Sequence, residues 1–77
     1  MPTTTNAARR ADALAWAHEW PVGARGTWEA GLAWGTLTIE VIAHEFSRGW
    51  PLLVLRTDAG DRLYCRYVER RNLHKST

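Results

Sequence analysis

Cysteine is nearly absent from this sequence: among its 77 residues there is one, Cys65. A single cysteine can form no disulfide within the chain, whereas small secreted domains usually contain several. We therefore expect a reducing, cytoplasmic setting. Because apolar and aromatic residues flank Cys65, we interpret it as a small buried hydrophobic residue and not as a nucleophile.

Long apolar runs are absent too, since no segment approaches the ~20 residues that a membrane-spanning helix needs. Residues 1–5 lack the basic stretch followed by an apolar stretch that marks a signal peptide, and we predict a tail there. No association with a membrane is expected.

Side chains for metal binding or catalysis are scarce. The three histidines, His18, His44 and His74, are far apart, and none is followed by a second histidine four positions later, as helical zinc sites require. Ser47 follows His44 closely, but this spacing alone creates no contact between a nucleophile and a base. A glycine-rich phosphate loop is also missing. The sequence therefore predicts a protein that is not an enzyme and that uses no metal and no cofactor.

Tryptophan, in contrast, is abundant, with five residues. A domain of this length buries only roughly 60–65% of the surface that its unfolded chain exposes, so its core is thin. Each indole ring buries on the order of 150–250 Å². We expect most of the tryptophans to fill this core and one or two to lie on a contact surface.

Arginine is the other abundant residue, and its charge is unevenly distributed. Residues 62–77 hold four Arg and one Lys against one Glu, a balance of +4, whereas residues 1–61 hold five Arg against seven acidic residues, a balance of −2. Arginine is favoured over lysine where carboxylates or phosphates are recognised. A GC-rich genome gives the same bias without selection, so both explanations stand.

Residues 6–20 are predicted to form a helix, with Asn6 as its N-cap and Pro21 stopping it. At 100° per residue, Leu14 and several alanines share one arc, which we expect to face the core. Trp16 falls on the polar side of the helix. It either covers a second apolar surface, which we favour, or is exposed for a partner.

Residues 22–73 have the pattern of short strands. A first strand is predicted over 22–29, and residues 36–41 alternate between polar and apolar, which is typical of a half-buried strand. The phase of this alternation changes at Val41-Ile42, which predicts a β-bulge and a bend in the strand.

The C-terminal part continues this pattern. Residues 47–49 predict a turn. Residues 50–57 form an apolar run that predicts a strand covered on both faces, and residues 58–61 predict a hairpin loop. Residues 62–68 alternate again, with Leu63, Cys65 and Tyr67 predicted to point inward. Leu73 is expected to pack back on the core, and residues 74–77 are predicted as a tail.

Three segments carry a resemblance to a known fold: the Pro-Val-Gly segment that begins at residue 21, the strand pair across residues 58–61, and the closing turn over residues 68–73. Together they resemble the SH3-like barrel superfold. The resemblance implies a single α+β domain, in which a short N-terminal helix precedes a four- to five-stranded antiparallel SH3-like barrel over residues 22–73.

The short helix, the Trp-Pro-Val-Gly entry and the compact barrel are also similar in style to small accessory proteins of phages and mobile elements from GC-rich bacteria. The chain lacks the acidic loop with paired tyrosines and the adjacent tryptophans of signalling SH3 domains. The resemblance therefore implies no recognition of proline-rich peptides. Because this superfold hosts many unrelated activities, the function has to be argued from particular residues.

The tryptophan content and the low net charge favour a non-catalytic binding module, a small accessory or inhibitor protein that occupies a surface of a larger protein, which is a host protein if the origin is viral. The alternative is a nucleic-acid-binding barrel that uses the arginine-rich C-terminal strand. A homodimer is a further expectation, since a second copy would complete a thin core. The candidate partner-binding residues are Trp16, Trp28, Trp34, Trp50, Arg56, Arg62, Tyr64, Arg66, Arg70 and Arg71.

Overall fold

A computed structural model describes residues 5–76 as one helix followed by a single antiparallel sheet. The elements in chain order are α1 (Asn6–His18), β1 (Arg25–Glu29), β2 (Thr36–Ser47), β3 (Trp50–Thr57), β4 (Arg62–Arg66), a 3₁₀ helix (Tyr67–Asn72) and β5 (Leu73–Lys75). The five strands lie in the order β4-β3-β2-β1-β5, so β4 and β5 are the two ends of the sheet. The predicted α+β class is confirmed. The predicted tail residues 1–4 and 77 lie outside the described residues.

Helix α1 is capped one residue earlier than predicted. The Thr5 hydroxyl accepts a hydrogen bond from the Ala8 N–H at 3.1 Å, so Thr5 is the N-cap and Asn6 lies in the first turn. Threonine and asparagine are both good N-caps, and the pattern alone does not choose between neighbours. The helix ends at His18, two residues before the predicted end at residue 20. Trp20 directly precedes Pro21, which disfavours the helical region for it.

The buried face of α1 differs from the predicted one. Ala13, Trp16, Ala17 and Trp20 are buried, whereas Leu14 is 37% exposed. The four buried positions have the i, i+3, i+4, i+7 spacing of one helix face. The prediction that Leu14 faces the core is therefore wrong, whereas Ala17, which was predicted on the same arc, does lie in the core. Two indole rings bury far more apolar surface than one leucine, so the helix is rotated to place them inside.

The bend of the sheet comes from β2, its longest strand. The first residues of β2 pair with β1, and its later residues pair with β3. The register of the β2–β3 pair shifts between Val41 and Ala43, which leaves Ile42 as the extra residue. The predicted bulge is confirmed, and it allows one strand to belong to both halves of a curved sheet.

Strand β3 is the most deeply buried strand. Leu53 and Leu55 lie in the same core cluster as Trp16, and both are fully buried. Val54 points to the opposite face of the sheet and is also buried. The expectation that this strand is covered on both faces is confirmed.

The last strand was not expected. Leu73 packs into the core as predicted. His74 and Lys75, however, continue into β5, where they pair with Thr27 and Gly26 of β1. The predicted tail is therefore wrong for these two residues. Three residues without an apolar alternation carry no local strand signal, and their pairing depends on β1, far away in the chain.

Candidate functional site

The tryptophans divide between the core and the surface. Trp16, Trp20 and Trp28 are buried, which confirms that most of the five fill the core. This corrects the expectation that Trp16 and Trp28 are partner anchors, because the small core uses both rings. Trp34 is 72% exposed on the β1–β2 loop. Trp50 is half-buried at the start of β3.

A groove of about 510 Å³ lies beside Trp50, where the β2–β3 turn, β4 and the 3₁₀ helix meet. Three aromatic side chains contribute to it, and its lining contains two arginines and no carboxylate. We call it the aromatic groove, defined by Trp50, Pro51, Tyr64, Tyr67, Val68, Arg48 and Arg66. The groove thus combines apolar walls with positive charge.

Local backbone geometry places Arg48 and Trp50 at this groove. The two residues that connect β2 to β3, Arg48 and Gly49, have φ of 54° and 83°, as two-residue hairpin turns with left-handed central positions require. A left-handed conformation is costly for arginine, which has a Cβ atom. The tight turn brings Trp50 back immediately into β3. From α1, the guanidinium carbon of Arg10 lies 5.7 Å from the centroid of the Trp50 ring.

Tyr67, the first residue of the 3₁₀ helix, is fixed from two sides. Its ring meets the Trp16 ring edge to face, with the centroids 5.7 Å apart and the planes at 65°. The guanidinium carbon of Arg70 lies 4.1 Å from the centroid of the Tyr67 ring. Arg70 also donates from Nη1 to the Tyr67 carbonyl at 3.1 Å. The aromatic groove therefore has a wall that is held by the core on one side and by a cation on the other.

The predicted arginines are all exposed, but their charges are not equally available. Arg56 lies 3.9 Å from a carboxylate oxygen of Glu40, and Arg66 lies 3.1 Å from Glu69. Within residues 5–76, Arg62 and Arg71 make no ion pair. Exposed pairs of this kind are worth only about 0–1 kcal/mol, so Glu40 and Glu69 reduce the local positive charge without removing it.

The structure brings only part of the predicted set together. Trp50, Tyr64 and Arg66 meet at the aromatic groove, while Trp34 and Arg62 line a second groove of about 940 Å³ between the β1–β2 loop and the β3–β4 hairpin. Arg56 lies directly opposite Arg62 in the register of β3 and β4. The predicted residues thus form two surfaces.

Sequence reasoning missed two residues that line the aromatic groove, and a third that packs on the Trp50 ring. Arg48 belongs to the segment that the sequence predicts as a turn, so a two-residue hairpin there would have placed it beside Trp50. Tyr67 was predicted to point inward, and its ring indeed packs on the core while one part lines the groove. The position of Arg10 depends on how α1 docks on the sheet, for which the sequence has no local signal.

Cys65 and His44 have structural roles. Cys65 is fully buried, as predicted. Burial raises the pKa of its thiol to about 12, and the negative charge of Glu69 adds to the shift. The ring Nε2 of His44 lies 2.6 Å from the Trp20 carbonyl oxygen and ties the end of α1 to β2. Among residues 5–76, no three His, Cys, Asp or Glu side chains are grouped as a metal site.

The raised pKa of Cys65 predicts a loss of stability in alkaline solution. The unfolded thiol loses its proton near pH 9.0, whereas the folded thiol keeps it until about pH 12. The stabilising contribution is therefore complete below pH 9.0 and is lost as the pH rises to about 12. Urea unfolding across this pH range should show that the free energy of unfolding decreases with pH. The decrease should be smaller in Cys65→Ala. If the free energy of unfolding fell equally steeply with pH in both proteins, the burial of the protonated Cys65 thiol would be contradicted.

The chain matches no family model, no curated protein and no solved structure. No helix within residues 5–76 combines the length and the apolar character needed to cross a membrane.

Proposed function

We propose that this chain is a non-catalytic protein-binding module whose contact site is the aromatic groove. The observation that carries the proposal is the meeting of Trp50, Tyr64 and Tyr67 with Arg48 and Arg66 in one concave surface. Tryptophan, tyrosine and arginine are the side chains that most often dominate binding energy at protein interfaces. The lining has more apolar than polar character, as the centre of an interface does.

The fixed positions of these rings support the same function. Trp50 is held between the tight β2–β3 turn and Arg10, and Tyr67 between Trp16 and Arg70. Side chains that are already ordered lose little conformational entropy when a partner binds. Tyr64 remains 48% exposed, so it offers apolar surface that a partner can cover.

The finer description of the fold belongs to this proposal. Five antiparallel strands, a bulge in β2 and a short 3₁₀ helix before the last strand support an SH3-like arrangement. In it, Trp16 of α1 and Trp20, which follows the helix, fill the interior. We propose that the chain acts in a reducing, cytoplasmic compartment as an accessory or inhibitor protein. It would occupy a surface of a larger protein, which is a host protein if the chain comes from a phage or a mobile element.

Substituting Trp50 by alanine tests the contact site. We expect the variant to lose about 2 kcal/mol of binding free energy, roughly a 30-fold loss of affinity, because hot-spot aromatics contribute at least this much. Proteins captured by the wild-type chain from host lysate would be identified by mass spectrometry, and the affinity of each would be measured by calorimetry. Trp34→Ala is the matched control, since its ring is exposed but lies outside the groove. Unchanged affinity for Trp50→Ala, or an equal loss for Trp34→Ala, would refute the proposed site.

A nucleic-acid partner is the second candidate, and the observation in its favour is the order of side chains on β4. Arg62, Tyr64 and Arg66 all lie on its exposed face, where arginines can contact phosphates and a tyrosine can stack on a base. The pairing of Arg66 with Glu69 disfavours it, because the carboxylate would repel a phosphate at this position. If the chain binds duplex DNA, the logarithm of the binding constant should fall with the logarithm of the salt concentration, with a slope of about −0.9 per neutralised phosphate. If no DNA binding is measured at low salt, this candidate is excluded.

A further inference from the structure

Strand β4 ends the sheet on one side, so its outer edge has no neighbouring strand. In an antiparallel pair, every second residue directs its main-chain N–H and C=O to the neighbouring strand, and the residues between direct theirs away. At the hairpin, the Thr57 N–H donates to the Asp61 carbonyl at 2.9 Å, so Asp61 faces β3. The main-chain groups of Arg62 and Tyr64 therefore point outward.

Arg66 supports this alternation, because its N–H donates to a side chain and not to β3. The same carboxylate oxygen of Glu69 accepts from the Arg66 N–H at 3.3 Å and from its Nε at 3.1 Å. Within residues 5–76, no side chain or loop accepts from the outward N–H groups of Arg62 and Tyr64. Unpaired main-chain groups at a sheet edge are a template for another extended chain.

We propose that the partner bound at the aromatic groove inserts an extended acidic segment beside β4, as an additional strand of the sheet. The inference rests on the proposed function and specifies the chemistry of the partner. Peptides that add to a sheet edge gain affinity from main-chain hydrogen bonds and specificity from alternate side chains. On the exposed face of β4, these alternate positions are Arg62, Tyr64 and Arg66.

Charge selects the occupant of this edge. An acidic residue opposite Arg62 would place its carboxylate beside the guanidinium, as Glu69 already does for Arg66. An apolar residue opposite Tyr64 would lie next to the aromatic groove, which Tyr64 also lines. The open edge is short, because Glu69 occupies one end of it.

A second copy of the chain fits this edge poorly. If two β4 strands paired antiparallel around Tyr64, Arg62 of each copy would lie opposite Arg66 of the other. Like charges directly opposite each other destabilise a strand pair. These arginines therefore disfavour a homodimer through β4. A β4 strand of the same length without charged side chains would permit one.

The experiment uses two blocked synthetic peptides, Glu-Thr-Val-Thr-Glu and Lys-Thr-Val-Thr-Lys, titrated into the full chain and observed by ¹⁵N NMR. We expect the acidic peptide to bind at least roughly tenfold more tightly, since it places a glutamate opposite Arg62, where the lysine peptide would place a like charge. We also expect the amide protons of Arg62 and Tyr64 to become protected from solvent exchange. The amides of Leu63 and Cys65 already face β3 and should change little.

A proline variant separates the strand pairing from the side-chain contacts. Tyr64→Pro removes an outward N–H without removing a bond to β3, and Tyr64→Ala removes only the aromatic ring. The proline variant should bind the acidic peptide up to about tenfold more weakly than the alanine variant, which corresponds to one net hydrogen bond. If the proline variant does not fold, Arg62→Glu replaces it, and the preference should then move toward the lysine peptide.

The outcomes distinguish this inference from the proposed function. Shifts of the Trp50 indole signal without protection at Arg62 and Tyr64 would leave the groove as the contact site and overturn strand addition. No binding of either peptide at millimolar concentration, or tighter binding of the lysine peptide, overturns it too. Tight binding of a single-stranded oligonucleotide without amide protection would favour a nucleic-acid partner instead. Protection of these amides in the free protein, together with a dimer in sedimentation, would show that a second copy occupies the edge.

Discussion

Replacing Trp16 by alanine is expected to lower the free energy of unfolding by about 3–5 kcal/mol. The ring is buried in the cluster that joins α1 to β3 and β4, and its edge contact with Tyr67 also positions the groove. Small domains have only about 5–15 kcal/mol of stability, so this variant should be close to unfolding at room temperature. Urea unfolding followed by far-ultraviolet circular dichroism measures the change without depending on tryptophan fluorescence.

Trp34→Ala is the control for this prediction, because the same side chain is removed from an exposed position. We expect its stability to stay within about 0.5 kcal/mol of the wild type. If the two variants lost equal stability, or if Trp16→Ala cost less than about 1 kcal/mol, the helix would not be an integral part of the core.

Replacing Gly26 by alanine is the second substitution with a large expected effect. A Cβ atom at this position would overlap the carbonyl group of His74 in β5 and would lie 3.0 Å from Cη2 of Trp20. The carbonyl is part of the backbone and cannot rotate away, so β5 has to leave β1. We expect a loss of about 3 kcal/mol, at the upper end of overpacking effects.

Hydrogen exchange shows where this stability is lost. In Gly26→Ala, the amide protons of β5 should lose more exchange protection than the lower global stability explains. The amide protons of the β3–β4 hairpin should lose only the protection that the lower global stability explains. Thr27→Ala is the matched control on the same strand, and its cost should stay below about 1 kcal/mol. An alanine at residue 26 that leaves β5 protected would contradict the close contact between the two strands.

The sequence was most informative where structure depends on neighbours in the chain. The apolar run located β3, the period-two alternation located β4, and the change of phase in β2 located the bulge at Ile42. Cys65 was correctly expected to be buried from the same alternation. These features depend on residues only a few positions apart, and the pattern records them directly.

The features that the sequence did not predict depend on distant contacts. The core face of α1 was misassigned because alanine side chains indicate only weakly which face of a helix is buried. The packing of Trp16 against Tyr67 determines the rotation of α1 about its axis. Strand β5 exists because β1 offers it an edge and because Gly26 lets it approach. In the site, Trp50 and Tyr64 were identified from residue type, but Arg10 reaches the Trp50 ring only through tertiary packing.

The strand order also determines when this chain can finish folding during its synthesis. β1 is made early, yet one of its two partners is β5, which includes Lys75. Until residue 75 has left the ribosomal exit tunnel, β1 keeps one edge bare and Trp20 lacks the cation that lies 5.3 Å from its ring. Contacts this distant in sequence form slowly. The nascent chain therefore holds an incomplete sheet until residues 73–75 have paired with β1.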